Sequence, residues 1–217
     1  MNGEEGRRYA ADAVPAAGCG VGDDGVERHP LEPFTPDGAR LLMLGGFPPS
    51  RRRWCMDFFY PNFINDMWRI FGLVFFGDKG HFVERDKPVF RKDAIVQFLT
   101  ERGIALYDTA CAVRRLKNTA SDKDLEVVAE TDLDALLGRI PSCRAVVTTG
   151  QKATDVFTSH YGIKPPKVGE SVPFMLGGRS LRLYRMPSSS RAYPMKVERK
   201  AEYYEKMFIE EGLKGQQ

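Results

Sequence analysis

The chain has 217 residues, 42% of them hydrophobic and 28% charged, enough to bury the core of one domain and short for two. Lys and Arg number 32 against 29 acids, so the formal charge of +3 neither demonstrates nor opposes binding to a polyanion. No apolar run of the roughly 18 residues needed for a membrane-spanning helix occurs.

The opening stretch "MNGEEGRRYAADAVPAAGCGVGDDGVE" lacks the continuous apolar segment of a secretory signal. Residues 1–28 therefore read as a disordered or weakly ordered tail, and residues 29–217 as a single domain. Next, "ARLLMLGG" is a short apolar run stopped by two glycines, the pattern of a strand buried on both faces. In "INDMWRIFGLVF", Ile64, Met67, Trp68 and Phe71 recur at helical spacing. "RKDAIVQFLTERG" predicts a second helix with Ala94, Ile95, Phe98 and Leu99 on one face and Gly103 as its stop. "IALYDTA" is strand-like, and "DLDALLGRI" a helix capped by Thr131 or Asp132. "RAVVTTG" is another buried strand, followed by the helix "QKATDVFTSHYG", the strand "RSLRLYRM" and a long last helix, "KVERKAEYYEKMFIEEGL".

Four short apolar strands alternating with helices predict an α/β domain: three layers, α/β/α, around a mostly parallel four-stranded sheet. Ligands of such sheets bind outside the carboxyl ends of the strands. The four segments there are "GGFPPS", "YDTACA", "TTGQKA" and "MPSSSR", expected around a single crevice. Basic residues are densest in "SRRRW", then in "VRRLK" and "VERK", whereas acids concentrate in "SDKDLEVVAETDLD". Cys19, Cys55, Cys111 and Cys143 stand far apart without the paired spacing of a zinc site, and read as reduced thiols of a cytoplasmic protein. His29, His81 and His160 occupy no recognisable setting for a serine-hydrolase triad. On its own the triple serine of "RMPSSSRAYP" is an ordinary solvated turn.

Two of these loops together resemble the uracil-DNA glycosylase superfamily. "LMLGGFPPS" looks like its first active-site motif, a strand leading into a Gly-x-x-Pro loop. "RMPSSSRAY" is similar to the second, in the Met-Pro-Ser-Ser-Ser form of the mismatch-specific thymine/uracil-DNA glycosylase branch. "FFYPNFINDMWRIFG" resembles the aromatic, Asn, then Trp segment of that branch and of its hypoxanthine-DNA glycosylase relatives. "LYDTACAVRRLKNTASDKDL" and "VVTTGQKA" continue the likeness in the same order, so that it spans about residues 41–208.

The resemblance implies hydrolysis of the N-glycosidic bond of a deaminated base, uracil or hypoxanthine, in DNA. Water is then the nucleophile and no metal or organic cofactor is needed. The partner is DNA containing a damaged or mismatched base, and the protein is expected to act as a monomer. The departing base becomes an anion, which suits the closely approaching backbone of Gly45, Gly46 and Phe47. Tyr60 matches the aromatic that stacks on the extruded base, whereas Phe58 and Phe59 belong to the core. Pro187, Ser188, Ser189 and Ser190 match the loop that grips backbone phosphates, and Arg191 fills the space of the flipped base or pairs with a phosphate.

The sequence also departs from the superfamily. Phe47 stands where the mismatch-specific branch carries a water-positioning asparagine, and Met186 where the uracil-specific branch carries a histidine. Asn65 occupies the place of the asparagine on which the hypoxanthine-acting relatives lean, with Asn62 replacing a histidine. It either orients water, or bonds the base edge, or caps the following helix. Asp108 is the carboxylate on a strand-end loop, a catalytic group or an acceptor for backbone amides. Two alternatives remain open: a catalytically weak or silent nucleic-acid-binding protein of the same fold, and an N-glycoside hydrolase of free nucleosides.

Overall fold

The computed structural model describes residues 25–116 and 124–215. Most of the expected tail, Cys19, and the junction of the "VRRLK" and "SDKDL" runs lie outside the described residues. The strands in chain order are β1 (Val26–Arg28), β2 (Leu41–Gly45), β3 (Ile104–Asp108), β4 (Ala110–Arg115), β5 (Leu125–Glu130), β6 (Ala145–Thr149), β7 (Ser171–Leu176) and β8 (Arg179–Met186). The helices are α1 (Met67–Phe76), α2 (Lys92–Arg102), α3 (Leu133–Gly138), α4 (Gln151–Tyr161) and α5 (Val197–Glu210).

A central sheet runs in the order β3-β2-β6-β8-β7, flanked by helices. Its first four strands are parallel and are the four read from the sequence. Every residue of β2, β3 and β6 is buried, because helices cover the sheet and no face is left for polar alternation. The sheet gains a fifth, antiparallel strand, β7, which carries Pro173. Proline is tolerated there because β7 is an edge. Helices α1 and α5 pack through Phe71, Phe75 and Phe208, with ring centroids 5.3 and 4.9 Å from Phe208. Gly103, at φ 65°, stops α2, and Asp132 caps α3 by accepting from Ala135 N at 2.9 Å.

A second sheet, β1-β4-β5, is antiparallel and was not anticipated. It encloses a small cluster of Phe47, Ala110, Val113 and Leu125. Its first strand corrects the expected boundary of the tail: Val26–Arg28 pair with Ala112–Arg114, and Val26 is buried. The ladder continues one residue further, since His29 N donates to Cys111 O at 2.8 Å. A second correction concerns Ile64. It lies before the first turn of α1 and is 53% exposed, not on the helix's apolar face. Cys55, Cys111 and Cys143 are free thiols. Among the described residues no helix is long and apolar enough to cross a membrane.

Candidate active site

The carboxyl ends of β2, β3, β6 and β8 converge on a cavity of about 840 Å³. Its lining brings together every residue proposed from the sequence except Pro187: Gly45, Gly46, Phe47, Tyr60, Asn62, Asn65, Asp108, Ser188, Ser189, Ser190 and Arg191. Pro187 is buried directly behind the serines, and its carbonyl accepts from the Tyr204 hydroxyl at 2.9 Å.

The floor is built from β2 and β3. Gly45 and Asp108 are register partners, and a Cβ on Gly45 would lie 2.3 Å from Asp108 Oδ1. Only glycine lets the carboxylate lie this close to the neighbouring strand. Asp108 Oδ2 is 2.9 Å from His29 Nε2, a contact that sequence reasoning missed. The His29 side chain is 2% exposed, its ring set against Tyr107 at 4.7 Å and Phe47 at 5.3 Å between centroids. Its other nitrogen, Nδ1, lies 2.8 Å from Leu31 O. Burial, with the Asp108 charge beside it, pushes the Tyr107 phenol well above its ordinary value and keeps it neutral. Phe47 is buried between His29 and the Arg115 guanidinium and forms a wall of the cavity.

Tyr60 is the one non-glycine residue at positive φ among the described residues, at 49°. Such backbone costs about 1–3 kcal/mol and persists where the surroundings hold it. Here Tyr60 Oη and Thr149 Oγ1 are 3.1 Å apart, and the ring meets Trp68 edge-on at 6.0 Å. Phe58 and Phe59 are buried in the main core, as expected.

Asn62 to Asn65 form a tight turn, closed by Asn65 N donating to Asn62 O at 2.8 Å. Asn62 Oδ1 accepts from Ile64 N at 3.2 Å. Asn65 Oδ1 accepts from Met67 N at 2.9 Å, a side-chain turn that satisfies the first amide of α1 from one residue outside the N-cap position, which is Asp66. Its Nδ2 amide has no partner among the described residues.

The serine loop is anchored from below. Ser189 O accepts from Asp66 N at 2.9 Å and Ser190 O from Lys200 Nζ at 2.8 Å. Asp66 is buried, with Oδ1 3.0 Å from Arg191 Nε and Oδ2 3.1 Å from the fully buried Lys200 Nζ. Arg191 is therefore a braced cation whose side chain is still 48% exposed. Ser188 Oγ accepts from Ser190 N and Ser190 Oγ from Ala192 N, each at 3.2 Å. The backbone amides of Ser188 and Ser189 have no partner among the described residues, leaving a pair of donors suited to an anion.

A neighbouring groove of about 590 Å³ shares Arg191 with the cavity and adds Asp66, Arg69, Lys79 and Lys196. Burial, then the charge of Arg191, lowers the Arg69 guanidinium from its ordinary value. Among the described residues no group of three or more His, Cys, Asp or Glu side chains is placed to hold a metal ion.

No family model matches the chain, and no curated protein does. A solved structure does: the solution NMR structure of a "putative Uracil DNA glycosylase" from Methanosarcina acetivorans, with a TM-score of 0.56 over 86% of this chain and 99% of that one, at 20% identity. The fold is uracil-DNA-glycosylase-like. At that identity the likeness concerns architecture, and the chemistry has to be argued from the cavity's own residues.

Proposed function

We propose that the protein is a DNA glycosylase of the uracil-DNA glycosylase superfamily that removes a deaminated base, uracil or hypoxanthine, during base-excision repair. The observation that carries this reading is the convergence, on one strand-end cavity, of a buried carboxylate, an aromatic ring, a side-chain amide and an anchored serine loop. In the reaction the C1′–N bond breaks with its electron pair going to the base, water oxygen bonds to C1′, and the proton lost by that water ends on the departed base anion, which is released as free base.

Each part has a task. Tyr60 stacks on the extruded base, and the Gly45-Gly46-Phe47 backbone receives the developing anion. Asn65 presents its free amide to the base or the water, and Asp108 provides the floor's carboxylate. Ser188, Ser189, Ser190 and Arg191 take backbone phosphates, which position the nucleic acid without reading its sequence. Asn65 in place and Phe47 at the mismatch branch's asparagine position favour the hypoxanthine-acting relatives as the nearer model.

One observation favours a second reading. The Asn65 oxygen already uses one of its two lone pairs on Met67 N, which weakens it as an acceptor for the attacking water. A protein that binds flipped bases without hydrolysis would retain everything else. Incubation with uracil- and hypoxanthine-containing oligonucleotides, with the free nucleosides in parallel, separates the readings. The proposal expects free base from the polymer alone, at a rate that falls with salt. Release from nucleosides with little salt dependence would instead identify a nucleoside hydrolase.

A further inference from the structure

His29 is the buried polar group to which the reaction above gives no task. It is brought to the floor of the cavity by β1, and its Nε2 lies 2.9 Å from Asp108 Oδ2. Leu31 offers Nδ1 both its carbonyl, at 2.8 Å, and its amide, at 3.2 Å, so that end of the ring is satisfied in either tautomer. At the other end a proton must occupy the bridge, since two lone pairs would repel at that distance. Whether it rides on the nitrogen or on Oδ2, Asp108 Oδ1 carries none. Oδ1 is the oxygen set against Gly45, and it has no partner among the described residues.

We propose that His29 is a positioning residue that makes Asp108 Oδ1 a fixed hydrogen-bond acceptor on the cavity floor, there to receive the ring N–H of a lactam-type base. The inference rests on the reading that the cavity holds a base. Deamination is what creates that donor: cytosine and adenine carry a lone pair on the ring nitrogen at which uracil and hypoxanthine carry N–H. An acceptor that cannot turn into a donor therefore separates the damaged bases from their parents. The surroundings hold this polarity. The His29 ring is enclosed by Phe47, Phe59 and Tyr107, which fixes the nitrogen that meets Oδ2, and Oδ1 lies in the space that a side chain at position 45 would fill.

The test is equilibrium binding to oligonucleotides bearing a single uracil, cytosine, hypoxanthine or adenine, with base release measured on the same samples. The unaltered protein is expected to favour uracil over cytosine and hypoxanthine over adenine by about tenfold or more, the effect of one hydrogen bond against an opposed lone pair. Asp108→Asn is nearly isosteric, and His29 Nε2 would hold its amide oxygen and turn the NH2 toward the cavity. That variant should lose the preference. His29→Leu should lose it too, whereas His29→Gln, which keeps a donor, should retain it. A merely structural His29 would alter melting temperature and leave the preference intact. If His29→Leu does not fold, Asp108→Asn decides alone. Parental preference in Asp108→Asn, or in folded His29→Leu, overturns the inference. Preference without base release counts against the glycosylase and not against this pair; release with a preference indifferent to both residues does the reverse.

Discussion

Asp66 and Asp108 are both buried carboxylates, one beneath the serine loop and the other on the cavity floor, and their surroundings differ. Asp66 has each oxygen bonded to a cation, Arg191 Nε at 3.0 Å and Lys200 Nζ at 3.1 Å, and it holds the serine loop in place through its own N–H. Asp108, which lines the cavity, has one oxygen on His29 and the other against Gly45 with no partner among the described residues. A fully paired buried charge serves to anchor, whereas a half-paired one is available to a ligand. Glycine makes the second arrangement possible, because any side chain at position 45 would occupy the space of Oδ1.

The comparison is sharpest where one partner is removed. Lys200→Met should lower unfolding free energy by about 3–5 kcal/mol, the cost of leaving a buried carboxylate short of a partner, and should weaken DNA binding as the loop loses its support. Urea denaturation checks the first and a binding isotherm the second. Gly45→Ala should cost about 1–3 kcal/mol in the same assay through overpacking, and should lower base binding further by displacing the carboxylate. Tyr60→Ala should reverse the balance, with about 1–3 kcal/mol lost from binding of the base and less from stability, since the ring is only half-buried and lines the cavity. Equal melting losses for Tyr60→Ala and Phe58→Ala, without a selective binding defect, would place Tyr60 in the core instead.

Smaller effects separate the rim from the floor. Asn65→Ala should melt earlier by about 1 kcal/mol, because Met67 N loses its acceptor, and should also slow base release. Alanine at Ser188 or Ser190 should weaken binding to DNA of any sequence and leave the choice of base nearly unchanged. Arg191→Ala should in addition reduce the slope of log affinity against log salt by up to about one.

The central sheet was legible because β2, β3 and β6 are buried on both faces, so their runs are apolar without interruption and bounded by glycine or polar loops. The serine loop lies just past such a strand end, whereas Tyr60 and Asn65 carry no such pattern and rest on the resemblance of the segment "FFYPNFINDMWRIFG". The second sheet was not legible. "LEVVAE" alternates buried and exposed positions over only six residues, and "ACAVRR" ends in two arginines, so each resembles a charged connection until its partner is known. Pro173 concealed β7 in the same way. His29 was lost with β1: it lies 79 residues from Asp108, and no local pattern joins them. Ile64 fits helical spacing, but it sits inside the Asn62–Asn65 turn, and α1 begins only at Met67, whose amide Asn65 accepts. Periodicity cannot see that local hydrogen bonds have claimed the segment.

The central claim is hydrolysis, and a single-turnover assay tests it most directly. Excess protein is incubated with a duplex carrying one uracil or one hypoxanthine, and free base and alkali-labile abasic sites are counted over time. The account predicts stoichiometric release of at least one of the two bases, slowed in Asn65→Ala while binding to undamaged duplex barely changes. Salt-sensitive binding of both duplexes with no free base would contradict it and leave a reader of flipped bases in place of an enzyme.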